Sequence, residues 1–122
     1  MGVGIPVAII DDDASVSRSL SRLLRLAGFE ATAFASAEEF LADGKRGRFR
    51  CLLLDVQLHG MSGLEMQRAW NALPGHAPLI FITAYDEPAA RAEALQAGCA
   101  GFFSKTENGT RILDAIRAAV WS

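Results

Sequence analysis

The stretch IIDDD, residues 9–13, places three carboxylates directly after two β-branched apolar residues. Asp is unfavourable in strands and in helix interiors, and adjacent carboxylates repel one another. The overlapping run VAII (7–10) is continuously apolar, which is typical of a strand covered on both faces. The stretch therefore predicts a buried strand that delivers acidic side chains at its carboxyl end.

Four further segments predict strands, and helical patterns separate them. The strands are FEATAF (29–34), CLLLD (51–55), LIFIT (79–83) and GFFSK (101–105). Apolar residues recur with helical spacing along 16–27, and Gly28 follows them as a stop signal. Capping boxes at Ser36–Glu39 and Ser62–Glu65, Pro88 with Gly98, and the apolar positions of 112–120 indicate the other four helices.

This alternation predicts an α/β fold. Near-continuous apolar strands separated by helices indicate a parallel sheet between two helix layers. With right-handed crossovers, the economical arrangement is a doubly wound, flavodoxin-like sheet of five parallel strands in the order 2-1-3-4-5, with helices on both faces. We expect residues 1–122 to form one domain.

Composition narrows the class of protein. Of 122 residues 51% are apolar and 21% are charged, which favours a packed core over disorder. The net charge of −2 gives no reason to expect direct binding of nucleic acid or of an anionic membrane. Apolar runs are too short to span a bilayer, and two cysteines are too few for a disulfide framework. We expect a reduced, soluble, cytoplasmic protein.

Polar side chains collect at one edge of the predicted sheet. Parallel strands end at the same edge, so Asp11, Asp12 and Asp55 should meet there. Three carboxylates without a partner would repel, whereas Mg²⁺ prefers such oxygen ligands. The sequence therefore predicts a magnesium site.

Two more strand-end residues suit phosphoryl chemistry. Thr83 supplies a hydroxyl and Lys105 a cation, which is what the charged oxygens of a phosphoryl group need. A carboxylate can itself act as the nucleophile and form an aspartyl phosphate. Asp55 lies centrally, at the end of a middle strand, so it is the natural acceptor.

These segments resemble a known family. IIDDD, LLLDVQLHGMSG, FITAYD and GFFSK are similar, in order and spacing, to the signature segments of bacterial response-regulator receiver domains. The run FASAEEFL is similar to the FixJ-type subgroup, whose receivers usually precede a DNA-binding helix-turn-helix domain. The resemblance covers the whole chain.

The resemblance implies a two-component signalling switch. Asp55 would accept a phosphoryl group from a sensor histidine kinase. Asp12 and Asp55 would ligate Mg²⁺ directly together with the backbone carbonyl of Gln57, and Asp11 would act mainly through water. The transfer would be self-catalysed, so the domain is not expected to be an enzyme acting on a separate substrate.

Further roles follow from the same resemblance. Thr83 and Lys105 would contact the phosphoryl oxygens, and the small Ala84 beside them would leave the acceptor open. Phe102 would be the switch residue coupled to Thr83, favouring a phosphorylation-dependent homodimer through the fourth helix, fifth strand and fifth helix. The positions that tune autodephosphorylation are Gln57 and Tyr85.

The chain departs from the family pattern at two loop positions. His59 and Thr106 stand where the family usually has proline. We expect His59 to be a solvated loop residue. A cis peptide bond costs roughly 2.5–4 kcal/mol before a residue other than proline, so we expect the Lys105–Thr106 bond to be trans.

Two other classes of α/β protein share single features with this sequence but differ from it in others. A haloacid dehalogenase-type phosphatase also begins with D-x-D, but its acidic pair comes late in the chain. A flavodoxin-like FMN carrier needs a phosphate-binding loop where this chain has three repelling carboxylates. The remaining alternative is a degenerate receiver, which acts as a protein-interaction module without phosphotransfer. A phosphorylation assay distinguishes the two.

Asp13 is expected to cap the first helix rather than to ligate a metal.

Overall fold

The computed structural model describes residues 4–84 and 86–121. Over these residues the chain forms five strands: Ile5–Ile10 (β1), Phe29–Phe34 (β2), Cys51–Leu54 (β3), Leu79–Thr83 (β4) and Gly101–Ser104 (β5). Five helices follow them in turn: Ala14–Leu26 (α1), Ala37–Leu41 (α2), Gly63–Asn71 (α3), Pro88–Gln96 (α4) and Gly109–Val120 (α5). A short 3-10 turn lies at Arg46–Arg48.

The strands form one parallel sheet in the order β2-β1-β3-β4-β5, which confirms the predicted fold class. Side chains of both sheet faces are buried under helices, which explains the continuous apolar runs in the sequence. One face packs residues that include Ala8, Ile10, Phe34, Phe40, Leu54, Met66 and Phe81. The other packs residues that include Val7, Ile9, Leu24, Leu53, Ile80 and Ile116.

Two predicted strands end one residue earlier than expected. Asp55 and Lys105 lie just after β3 and β5. Their backbone N–H groups still donate to the neighbouring strands, from Asp55 to the Ile10 carbonyl (3.1 Å) and from Lys105 to the Thr83 carbonyl (2.9 Å). The chain then turns away from the sheet, and these hydrogen bonds hold the backbone of both residues at its edge.

The helix caps agree with the sequence signals, with one difference. The Asp13 carboxylate accepts hydrogen bonds from the N–H groups of Ser15 and Val16, so it caps α1 as predicted. The capping box of α3 at Ser62 is complete. At α2, Ser36 accepts from the Glu39 N–H, but no reciprocal bond from the Glu39 side chain occurs within the described residues. α2 has five residues.

No helix in the described part of the chain is long and apolar enough to cross a membrane. The thiols of Cys51 and Cys99 are both free. Burial raises the pKa of the Cys51 thiol to about 12, so this thiol is inert at neutral pH.

Gly63, the first residue of α3, packs directly against the backbone beneath the acidic edge of the sheet. A Cβ at this position would overlap the Asp55 carbonyl and lie 2.8 Å from the Val56 Cα. Gly63→Ala should therefore lower the free energy of unfolding by about 1–3 kcal/mol, the usual cost of overpacking. Urea denaturation measures this decrease in the free energy of unfolding. Gly44→Ala, with nothing within 4 Å of the added carbon, is the matched control, and equal stability of the two variants would contradict the prediction.

Candidate functional site

Three carboxylates meet at the carboxyl edge of the sheet, as the sequence predicts. One oxygen from each of Asp11, Asp12 and Asp55 lies within 4.8 Å of the others. Asp11 and Asp55 are buried, at 4% and 5% exposure, whereas Asp12 is exposed. The Asp11 N–H donates to the Phe34 carbonyl of β2 (3.1 Å). The three acids therefore sit on rigid strand ends around a common point.

Lys105 bridges two of these acids. Its Nζ lies 2.9 Å from Asp55 Oδ2 and 3.1 Å from Asp11 Oδ2. Burial of the ammonium disfavours its charge, but the hydrogen bonds to Asp55 and Asp11 outweigh this cost, so the pKa of Lys105 is raised. Lys105 is thus a permanent cation between the carboxylates.

Each carboxylate oxygen of Asp11 has a partner. The Asp13 N–H donates to Oδ1 (2.8 Å), and Lys105 contacts Oδ2. Burial raises the pKa of this carboxyl above its ordinary value, although the hydrogen bonds from Asp13 and Lys105 oppose the effect and the nearby Asp55 adds to it. A second cation beside Asp11 would stabilise its charged form further.

The loop after β5 keeps Lys105 in place without the usual proline. The Lys105–Thr106 bond is trans, as predicted. The Thr106 hydroxyl lies 2.9 Å from the Ser104 hydroxyl, and the Thr106 N–H donates to that same oxygen (3.2 Å). Thr106 therefore closes the turn through its side chain, which is a role that proline cannot perform.

The loop from β3 to α3 forms one wall of the site. The Gln57 N–H donates to Asp55 Oδ1 at 3.1 Å. An open pocket of about 390 Å³ lies between this loop and the strand ends, and it is lined by Asp12, Asp13, Asp55, Gln57, Leu58, His59, Ala84 and Lys105. The structure thus brings together the predicted carboxylates, Lys105, Ala84 and Gln57.

His59 departs in part from its expected behaviour. Its side chain is exposed, but Nδ1 lies 2.8 Å from Asp12 Oδ2, and its backbone N–H donates to the same oxygen (3.2 Å). Sequence reasoning missed this pair because 47 residues separate its members. The one available signal was that His59 replaces a family proline, which has no N–H to donate.

The predicted switch residues lie on the neighbouring strands. Thr83 is fully buried at the end of β4, and Ala84 after it is exposed. Phe102 on β5 is also buried, with its ring centroid 5.7 Å from that of Phe81 and 5.2 Å from the guanidinium carbon of Arg91. Tyr85 lies outside the described residues.

This donor set fits a hard divalent cation. Carboxylate oxygens and a backbone carbonyl are ligands that Mg²⁺ prefers, and no thiol lies among the residues lining the pocket. Among the described residues, neither a hydrogen bond nor an ion pair engages Asp12 Oδ1, so this oxygen is available for a ligand. Lys105 alone cannot neutralise three carboxylates, which leaves an excess of negative charge that a cation would balance.

Comparison with known proteins identifies the family. Residues 7–117 match the model of the response regulator receiver domain. The chain is 40% identical over 114 residues to the response regulator protein TodT of Pseudomonas putida, covering 93% of this chain and 50% of TodT. It is 35% identical over 120 residues to the transcriptional regulatory protein FixJ of Azorhizobium caulinodans, covering 98% of this chain and 57% of FixJ.

A solved structure of a receiver from the same group of relatives has the same fold. The crystal structure of FixJ-N superimposes with a TM-score of 0.84 at 34% identity, covering 95% of this chain and 93% of FixJ-N. The chain spans about half the length of the curated relatives it matches. With its sheet order and strand-end acids, this chain belongs to the family of response regulator receiver domains.

Proposed function

We propose that this receiver domain accepts a phosphoryl group on Asp55 from a sensor histidine kinase, with Mg²⁺ as cofactor. The observation that carries the proposal is the environment of the buried Asp55 carboxylate. Its Oδ2 lies 2.9 Å from Lys105 Nζ. One of its oxygens also lies within 4.8 Å of an oxygen of Asp11 and an oxygen of Asp12. A buried carboxylate that lies between a cation and other carboxylates is a candidate functional residue, in contrast to a carboxylate on the solvated surface.

In the proposed transfer, an Asp55 carboxylate oxygen attacks the phosphorus of a phosphohistidine. The new P–O bond forms as the P–N bond to the kinase imidazole breaks, and the imidazole leaves with its electron pair. Asp12, Asp55 and the Gln57 carbonyl would hold Mg²⁺ directly, and Asp11 would act on it through water. When bound there, the ion would supply positive charge for the phosphoryl oxygens. Lys105 moves its hydrogen bond from Asp55 to one of these oxygens.

The residues after β4 complete the proposed site. The small Ala84 leaves the pocket open to the incoming phosphohistidine. The Thr83 hydroxyl contacts a phosphoryl oxygen, and Gln57 and Tyr85 tune the hydrolysis of the aspartyl phosphate. The domain promotes its own modification and is not an enzyme with a separate substrate.

The proposed output is transcription regulation through a separate DNA-binding domain, in the cytoplasm. TodT is named as a response regulator and FixJ as a transcriptional regulator, which supports this output. The receiver itself, with a net charge of −2, is not expected to bind DNA directly or a membrane surface.

The proposed function is tested by incubating the domain with acetyl phosphate and Mg²⁺. Intact-mass spectrometry should show one added phosphoryl group, and chelation of the metal with EDTA should prevent the addition. An unmodified domain in the presence of Mg²⁺, together with an unmodified domain after incubation with phosphorylated histidine kinases, would instead support the degenerate-receiver alternative.

Phosphorylation should also favour a homodimer through α4, β5 and α5. When Thr83 is drawn toward the phosphoryl group, the packing of Phe102 on the adjacent β5 changes, and this couples the site to the α4-β5-α5 face. Leu95, on α4, is a large apolar residue with half of its surface exposed. Sedimentation with and without beryllofluoride, a phosphoryl mimic, should show a mass increase, and an unchanged mass would contradict the prediction.

A further inference from the structure

Glu38 reaches from α2 to the loop between β3 and α3. Its Oε2 accepts a hydrogen bond from the Met61 N–H at 2.8 Å, across 23 residues of sequence. A Cβ on Gly60 would lie 2.6 Å from the same oxygen, so the carboxylate packs directly on the Gly60 backbone. Gly60 has a φ of +75°, a conformation that glycine adopts without strain. Glu38 therefore holds two successive residues of this loop.

The same loop carries Gln57, whose backbone carbonyl is a predicted metal ligand. Gln57 lies near its start, and His59, two residues before Met61, contacts Asp12 through both its side chain and its N–H. The loop is thus held between two carboxylates, Asp12 at the sheet edge and Glu38 on α2. It lacks the proline that would otherwise restrict its backbone.

We propose that Glu38 is a positioning residue that sets the affinity of the domain for divalent cations by ordering this loop. The carboxylate does not touch the cation. Its charge-assisted hydrogen bond to Met61 fixes the segment that presents the Gln57 carbonyl and that keeps His59 on Asp12. Without Glu38, the loop would become ordered only when a cation binds. The entropic cost of ordering the loop would then weaken the affinity for the cation.

This inference rests on the proposed cation site, and calorimetric titration with Mg²⁺ alone tests it. Glu38→Ala should weaken the affinity about threefold to tenfold, which is the range for the loss of one typical hydrogen bond, because solvent exposure at this site weakens the contribution of the charge. Glu38→Gln should stay within about twofold of wild type, because the amide oxygen still accepts from Met61. Amide hydrogen exchange at Met61 should accelerate in Glu38→Ala and return toward wild type in Glu38→Gln.

Glu39→Ala is the matched control. Glu39 is exposed in the same turn of α2, and its carboxylate makes no hydrogen bond or ion pair within the described residues. Its removal takes away the same charge at a similar place, so affinity should stay at the wild-type level. Equal losses in Glu38→Ala and Glu39→Ala would assign the effect to net charge and overturn the positioning role.

Two further outcomes separate this inference from the proposed function. Wild-type affinity in Glu38→Ala, in a protein that loses Mg²⁺ binding on Asp12→Ala, would overturn the role of Glu38 and leave the cation site intact. A wild-type protein that binds no Mg²⁺ would overturn the cation site itself and this inference with it. If Glu38→Ala fails to fold, Glu38→Gln decides through two measurements, and either a loss of Mg²⁺ affinity clearly larger than twofold or accelerated hydrogen exchange at Met61 without any loss of affinity contradicts the proposal.

Discussion

Asp55→Asn should take up no phosphoryl group from acetyl phosphate under conditions in which the wild-type domain is modified. The amide that replaces the carboxylate is a poor nucleophile and is a weaker ligand for a hard cation. The substitution also removes the acceptor of the 2.9 Å bond from Lys105 Nζ to Oδ2. Because Asn has almost the same shape as Asp, the fold should be retained, so the loss reports chemistry and not unfolding.

The measurement is the intact mass of each protein after incubation with acetyl phosphate and Mg²⁺. Asp114→Asn is the control, since Asp114 is exposed on α5 and its carboxylate lies 3.6 Å from Arg117, away from the site. Asp114→Asn should be modified like wild type. Modification of Asp55→Asn to the wild-type extent would show that another residue is the acceptor.

Asp12→Ala should weaken Mg²⁺ binding more than Asp11→Ala does. Both oxygens of Asp11 already have partners, Lys105 and the Asp13 N–H, so Asp11 is suited to act on the cation through water. In Asp12, Oδ2 is held by His59, and no contact within the described residues engages Oδ1. We expect a loss of about tenfold for Asp11→Ala, at the lower end of the range for a residue that acts on a metal through an intermediary, and a loss of at least about 100-fold for Asp12→Ala, which removes a direct ligand.

Calorimetric titration with Mg²⁺ is the appropriate measurement. Tryptophan fluorescence is a poor reporter, because neither tryptophan lines the pocket. Circular dichroism of each variant should first confirm that α1, which is capped by Asp13, is still formed. Equal losses of affinity in Asp12→Ala and Asp11→Ala would contradict the ranking and would make both carboxylates direct ligands.

The sequence by itself determined the sheet, the order of its elements and the edge where the acids meet. Continuous apolar runs such as LIFIT (79–83) identify strands buried on both faces, because a half-exposed strand would alternate. Asp13 and Ser62 marked helix starts that the structure retains. These features depend on short-range periodicity and on the rule that parallel strands end at one edge, so residues close in sequence suffice to predict them.

Only the tertiary structure decided which groups pair inside the site. Lys105 bridges Asp11 and Asp55, and His59 contacts Asp12. Likewise, Glu38 holds Met61 across 23 residues. A sequence pattern places a side chain on a strand end or in a loop, but the choice of partner depends on distances of a few ångströms between elements. Those distances are set by how the helices pack on the sheet, and that packing is a property of the whole core.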